Sequence, residues 1–203
     1  MFQTLFSALA VFISTSIDYV VLLLIVFASL GRKQFLKVLI GQYIGISLLV
    51  IVSLVIAYLF HFIPEDWMIG LLGLIPIALG IRFAMIDKDE NDDETEEVMA
   101  QLHRGKYLAV TVTSLTLAAG GDNLGVYIPY FSGMSSQEVS LVILVFIVAI
   151  FILNWLTYQV AATSLMSRIV ENLEKWFLPL VFIGLGIYIL IENGTIQHFL
   201  EIL

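Results

Sequence analysis

Apolar residues fill six long runs in this chain, at roughly 4–30, 36–60, 67–86, 107–131, 139–165 and 176–192. Each approaches the ~20 residues that carry an α-helix across ~30 Å of hydrocarbon, the third and sixth being at the short end. The pattern predicts an all-α integral membrane protein with six transmembrane helices and almost no soluble part. No basic stretch precedes the first run, and that run is longer than the apolar region of a signal peptide, so it reads as a mature helix.

The polar positions inside the runs are few. Asp18 and Asp122 each lie near the middle of a span, where a carboxylate costs about 2.5–3.5 kcal/mol on insertion scales and is rarely placed without a task. Ser14 and Thr15 precede Asp18 by four and three residues and share its helical face. Gly120 and Gly121 precede Asp122 and Pro129 follows it, a combination that loosens a helix. Backbone carbonyls freed in that way must face a cavity, a ligand or other protein. An acid beside freed carbonyls is a candidate cation site. Asn123 adds an amide next to it, and Gln42, Asn154 and Gln159 are further polar candidates for the same cavity, with polar contacts between helices as the plainer role. Gly70, Gly73, Pro76 and Gly80 mark the third run as one that packs closely. Trp67 and Trp176 stand at span starts, where amphipathic aromatics anchor at the interface.

Composition and charge sharpen this picture. Of the 203 residues, 60% are hydrophobic and 13% charged, and the mean hydropathy is +1.01, which excludes a soluble domain. With six spans, all nine Lys and Arg fall on one side: Arg32, Lys33 and Lys37, then Arg82, Lys88, Arg104 and Lys106, then Arg168 and Lys175. The positive-inside rule places that side in the cytoplasm and both termini outside. Residues 87–106 divide the chain into helix triplets 1–86 and 107–203. This linker carries most of the net charge of −8. Asp87, Asp89, Asn91 and Asp93 have the alternate spacing of a calcium loop, but Asp92 stands where such a loop needs glycine and Val98 where it needs glutamate. A solvated cytoplasmic linker, or a weak antenna for divalent cations, is the reading that remains. Cysteine is absent, so thiolate ligands and disulfides are excluded.

The triplets resemble each other. Asp18 and Asp122 stand 104 residues apart, Leu79-Gly80-Ile81 returns as Leu185-Gly186-Ile187 at an offset of 106, and Trp67 pairs with Trp176 at 109. Three helices is an odd number, so the second copy enters the membrane inverted. Inverted repeats with a polar midplane site are a recurring plan of secondary transporters.

Ser16-Ile17-Asp18-Tyr19 in the first run, and Gly120-Gly121-Asp122-Asn123-Leu124-Gly125-Val126-Tyr127-Ile128-Pro129 in the fourth, resemble the bacterial cadmium-resistance transporters of the CadD type, within the LysE-like exporter superfamily. The resemblance implies export of cadmium, with manganese or another divalent cation as the alternative cargo. The residues themselves favour exchange for protons: two carboxylates in one cavity repel each other, so they ionise together only around a cation. Asp18, Asp122, Asn123, Thr15, Ser14, the carbonyls of Gly120 and Gly121, Gln42 and Asn154 are the candidate metal ligands, all through oxygen. No resident cofactor is expected. The partners expected are the lipid bilayer and the divalent cation, with no nucleic acid, and a homodimer is left open. A passive cation channel and an intramembrane aspartyl protease are the rivals. The protease is disfavoured because Ala118-Ala119-Gly120-Gly121-Asp122 lacks the first glycine of Gly-x-Gly-Asp, and because the aspartates do not lie on successive helices. No phosphate-binding Gly-x-x-x-x-Gly-Lys-Ser/Thr loop is present.

The charge segregation predicts that a cysteine placed at position 92 is labelled only after the membrane is permeabilised, whereas one at the carboxyl terminus is labelled on intact cells. Labelling of position 92 from outside would reverse the topology.

Overall fold

The computed structural model describes residues 2–30, 34–60, 66–85, 107–160 and 178–202, with Ala100 and Leu102 between them. The described residues are helical and contain no strand: α1 (Phe2–Thr15), α2 (Ile17–Leu30), α3 (Phe35–Phe60), α4 (Asp66–Gly70), a 3₁₀ turn (Leu71–Gly73), α5 (Leu74–Met85), α6 (Leu108–Ala119), α7 (Leu124–Ser132), α8 (Ser136–Val160), α9 (Leu178–Glu192) and α10 (Thr195–Ile202). The acidic linker lies outside the described residues apart from Ala100 and Leu102, as does Trp176.

Two helices, α3 and α8, are each long and apolar enough to cross a membrane, and the bent pair α1–α2 qualifies as a third. At 26 and 25 residues, α3 and α8 extend ~37–39 Å, more than the ~30 Å hydrocarbon core. Ser135 and Glu138 cap α8 reciprocally: Ser135 N–H and Oγ–H donate to Glu138 Oε2 at 2.9 and 2.7 Å, which satisfies donors the helix start leaves unpaired. The first, third and fourth apolar runs are not continuous helices. The first breaks at Ser16 and the fourth between Ala119 and Leu124. The third starts as α4 and a 3₁₀ turn, which puts Pro76 in the first turn of α5, where its missing N–H costs no helical bond.

Packing divides the molecule in a regular way. α3 lies along α6 and α7, α8 lies along α1 and α2, and α5 pairs with α9. Several contacts join residues 104 apart: Tyr43 O–H donates to Ile147 O at 2.7 Å, and Asn123 Nδ2 to Tyr19 OH at 3.0 Å. Buried Ser53 and Thr157, also 104 apart, each donate to the carbonyl four residues back at 2.8 Å.

The α5–α9 crossing carries the same regularity at an offset of 106. A Cβ on Gly80 would stand 2.9 Å from Pro179 O and 2.8 Å from Ile183 Cγ1. A Cβ on Gly186 would run into Gly73 O and Ile77 Cγ1. Adding 106 to Gly73, Ile77 and Gly80 gives Pro179, Ile183 and Gly186, so each helix presents the same side to the other. Such approach of backbone to backbone requires glycine and maximises contact where water is absent to drive association.

Gly186→Ala is expected to lower the melting temperature in detergent, by overpacking worth about 1–3 kcal/mol. Gly184→Ala, on the same helix with nothing within 4 Å of its Cβ position, is expected to be neutral or slightly stabilising. Equal effects at the two positions would show that the crossing tolerates side chains.

Candidate metal centre at two helix breaks

Local sequence produces both breaks. Ser14, Thr15 and Ser16 follow one another at the end of α1. Ser14 Oγ donates to Ala10 O at 2.6 Å, and Thr15 Oγ1 shares its proton between Val11 O at 2.9 Å and Phe12 O at 3.2 Å. Hydroxyls bonded to the preceding turn open and bend a helix, and here the axis turns by 53°. Ser16 N–H reaches Ile13 O at 3.3 Å, and the regular register resumes with Val20 N–H to Ser16 O at 3.0 Å.

At the second break Gly120 N–H still donates to Thr116 O at 2.9 Å. Three shortened bonds follow, Asn123 N–H to Gly120 O at 3.2 Å, Gly125 N–H to Asp122 O at 2.9 Å and Val126 N–H to Asn123 O at 3.0 Å, before Tyr127 N–H to Asn123 O at 2.8 Å restores the helix. Gly120 is needed for space: a Cβ there would run into the Tyr19 hydroxyl and stand 2.6 Å from Leu49 Cδ1. Tyr19 can therefore lie across the backbone of the break. The Cβ position of Gly121 has nothing nearer than 3.7 Å, which leaves room beside Asp122.

The two breaks meet. Asn123 Nδ2 donates to Thr15 O and to Tyr19 OH, both at 3.0 Å. The Thr15 and Tyr127 hydroxyls lie 2.9 Å apart. All four residues are buried. Thr15 O belongs to the last turn of α1, where carbonyls lack helical donors, so Asn123 meets a need that the break itself creates. These bonds use only the amide nitrogen of Asn123, leaving its Oδ1 available to a cation.

Asp18 stands in the first turn of α2, half-buried, and Asp122 lies exposed just ahead of α7. Both positions are electropositive helix starts that favour a carboxylate, while the carbonyl ends of α1 and α6 beside them favour a cation. Asp18 and Asp122 are the chain neighbours of Tyr19 and Asn123, whose side chains are bonded at 3.0 Å, so the two carboxylates flank one contact. Among the described residues no three His, Asp or Glu side chains converge on a point. A metal held here would rest on two carboxylates completed by neutral oxygens, a set suited to hard or borderline divalent cations.

The other candidates are distributed unevenly. The Ser14 hydroxyl is turned back to Ala10 O. Gln42 is buried on α3 seven residues from Leu49, which touches the break, so it sits ~10 Å along the helix. Asn154 is buried on α8 eight residues, ~12 Å, from Phe146, whose ring packs 5.6 Å from that of Tyr127. Sequence reading did not single out Tyr19, Tyr127 or Ser16, although a polar tip on an apolar run, and three hydroxyl residues in succession, were the signals available.

A family model described as cadmium resistance transporter matches residues 12–202. The chain belongs to the cadmium resistance transporter family. The match covers both breaks and all of the candidate ligands, and with the apolar helices it makes this a membrane transport protein. No curated protein and no solved structure matches the chain.

In this family member Gly120→Ala is expected to reduce both transport and melting temperature, because the methyl meets the Tyr19 hydroxyl. Adding Tyr19→Phe removes that oxygen and is expected to recover part of the loss in melting temperature. Strictly additive effects of the two substitutions would show that they do not meet.

Proposed function

We propose that this protein exports divalent heavy-metal cations, cadmium first among them, in exchange for protons. The observation that carries the proposal is that the two mid-run aspartates each sit at a helix break and that Asn123 joins those breaks. Ligation in this reading comes from Asp18, Asp122, the Oδ1 of Asn123 and the carbonyls of Gly120 and Gly121, with the Thr15 hydroxyl and its partner Tyr127 lining the site.

The exchange follows from electrostatics. Two carboxylates about 6 Å apart at an effective dielectric of about 20 repel by about 2.8 kcal/mol. A divalent cation between them removes that cost, and so does a proton, but the two occupants exclude each other. Carrying +2 outward against an inside-negative potential costs about 4.6 kcal/mol per 100 mV, a charge penalty that two returning protons cancel. The site has no sulfur, and oxygen donors hold a soft cation weakly enough to let it go. Manganese fits the same donors and is the second reading of the cargo.

The architecture in this reading is two three-helix repeats of inverted topology in the plasma membrane, with both termini outside. The contacts between residues 104 apart, and the exchange of roles between Gly80 and Gly186 at an offset of 106, support it. So does the reciprocal packing of α3 on the broken pair α6–α7 and of α8 on the broken pair α1–α2. Alternating access is then the rocking of one repeat against the other about the shared site.

Asp18→Asn and Asp122→Asn are each expected to abolish metal export while the protein still reaches the membrane, since loss of a midspan charge eases insertion. The double variant should be no worse than either single one, because the aspartates act as a unit. Metal uptake by everted vesicles, driven by a pH gradient, is the measurement. A normal rate for either variant would remove that aspartate from the coupling site.

A further inference from the structure

Two buried side chains away from the breaks have polar atoms without partners. Both Gln42 Oε1 and Nε2, and Asn154 Oδ1, have no hydrogen-bond partner among the described residues, and both residues are 0% exposed. Asn154 Nδ2 donates to Ile150 O at 2.9 Å, so its amide oxygen is the free end. A buried amide without a partner costs about 1–3 kcal/mol, and such groups are retained where a ligand or water completes them.

The two residues belong to the same end of the bundle. Along α3, Leu49 meets Gly120, Gly45 meets Thr116 and Gly41 meets Val112, so Gln42 lies toward the Leu108 end of α6. Leu153 and Tyr158, on either side of Asn154, pack against a cluster of Leu22, Leu23, Val26, Val38 and Val112. Gln42 is one turn from Val38 of that cluster. Phe27, Phe35 and Tyr158 close the far edge with ring centroids 5.1–6.1 Å apart. In the topology proposed above, this end faces the cytoplasm.

The opposite half has no counterpart. Shifted by 104, Gln42 corresponds to Phe146 and Asn154 to Val50, both buried and apolar. Beside Phe146 the interior is filled by Phe12 and Tyr127. Among the described residues the unpartnered buried amides are therefore at one end, although buried hydroxyls such as Ser53 and Thr157 occur at both.

We propose that Gln42 and Asn154 form a second cation station, separate from the helix breaks, which takes a partly hydrated divalent cation from the cytoplasm and passes it to Asp18 and Asp122. Amide oxygens are neutral hard donors: they replace part of a hydration shell without the tight hold of a carboxylate, as a station along a path requires. The inference rests on the export reading above, and it adds a side and a kinetic role to that reading.

The test compares cadmium uptake in everted vesicles, where the cytoplasmic face is outside, with uptake in right-side-out vesicles. Gln42→Leu and Asn154→Leu are each expected to raise the KM from the cytoplasmic face about tenfold, equivalent to about 1.4 kcal/mol. The maximal rate, and the KM from the opposite face, should stay within about twofold. Gln42→Asn and Asn154→Gln retain a neutral amide oxygen and are expected to raise the cytoplasmic KM less than the leucine variants do, which separates loss of a ligand from loss of packing. An unchanged KM, an equal rise from both faces, or a fall in rate alone would overturn the station while leaving export intact. If a leucine variant does not reach the membrane, the alanine variant at that position takes its place under the same criteria. Absence of cadmium uptake by the unaltered protein would overturn the export reading itself.

Discussion

One amide nitrogen holds the centre of this protein together. Asn123 Nδ2 donates to a backbone carbonyl at the end of α1 and to a hydroxyl on α2, so a residue of the second break secures both sides of the first. The net gain from two such bonds is about 0.5–1.5 kcal/mol each, but their loss strands a buried carbonyl at about 1–3 kcal/mol. That asymmetry fixes the geometry more firmly than the gain does. The tie also sets the positions of the aspartates, because Asp18 and Asp122 are the immediate chain neighbours of Tyr19 and Asn123. The tie is itself neutral and adds no charge beside either carboxylate.

The tie lies where the two halves of the molecule meet, and there the halves differ. Tyr19 and Asn123 stand 104 residues apart, at matching positions of the two triplets. A phenol there stands opposite an amide, with the amide donating. The glycines of the α5–α9 crossing need only room, and there the match at an offset of 106 is closely kept, down to Ile77 against Gly186 and Ile183 against Gly80.

Much of this was legible in the sequence. The apolar runs gave the helical class, and Asp18, Asp122 and the glycines before Asp122 marked the centre. The break after α1 was not read, because Ser14, Thr15 and Ser16 are each compatible with a continuous helix. The bend accompanies the bonding of two successive hydroxyls, those of Ser14 and Thr15, to the preceding turn. Hydropathy registers how apolar a stretch is and not whether its backbone is regular, so the interruptions within the third and fourth runs were not legible from it. Tyr19 escaped notice because a tyrosine in an apolar run ordinarily counts as core. Only its passage over the backbone of Gly120 reveals its place at the site.

The broken helices also explain how a site built from two acids can exist in an apolar surrounding. A carboxylate at the middle of an intact helix has its backbone amides committed to the helix and gains little from them. At the start of a new helix it faces unpaired N–H groups and the positive end of the dipole, which offset part of its desolvation. A break supplies the opposite pole as well, since the helix that has just ended turns its carbonyls toward the same point. Each break therefore pairs an anion with a set of neutral oxygens, and joining two breaks doubles both without requiring two acids on one helix. In an oxygen-only site of this kind, affinity for a divalent cation depends on both carboxylates being ionised and close. Any motion that draws α2 and α7 apart, or any proton that takes the place of the metal, weakens binding at once. In the proposed reading, the architecture that makes the aspartates tolerable in an apolar surrounding is thus the same one that lets the cargo leave.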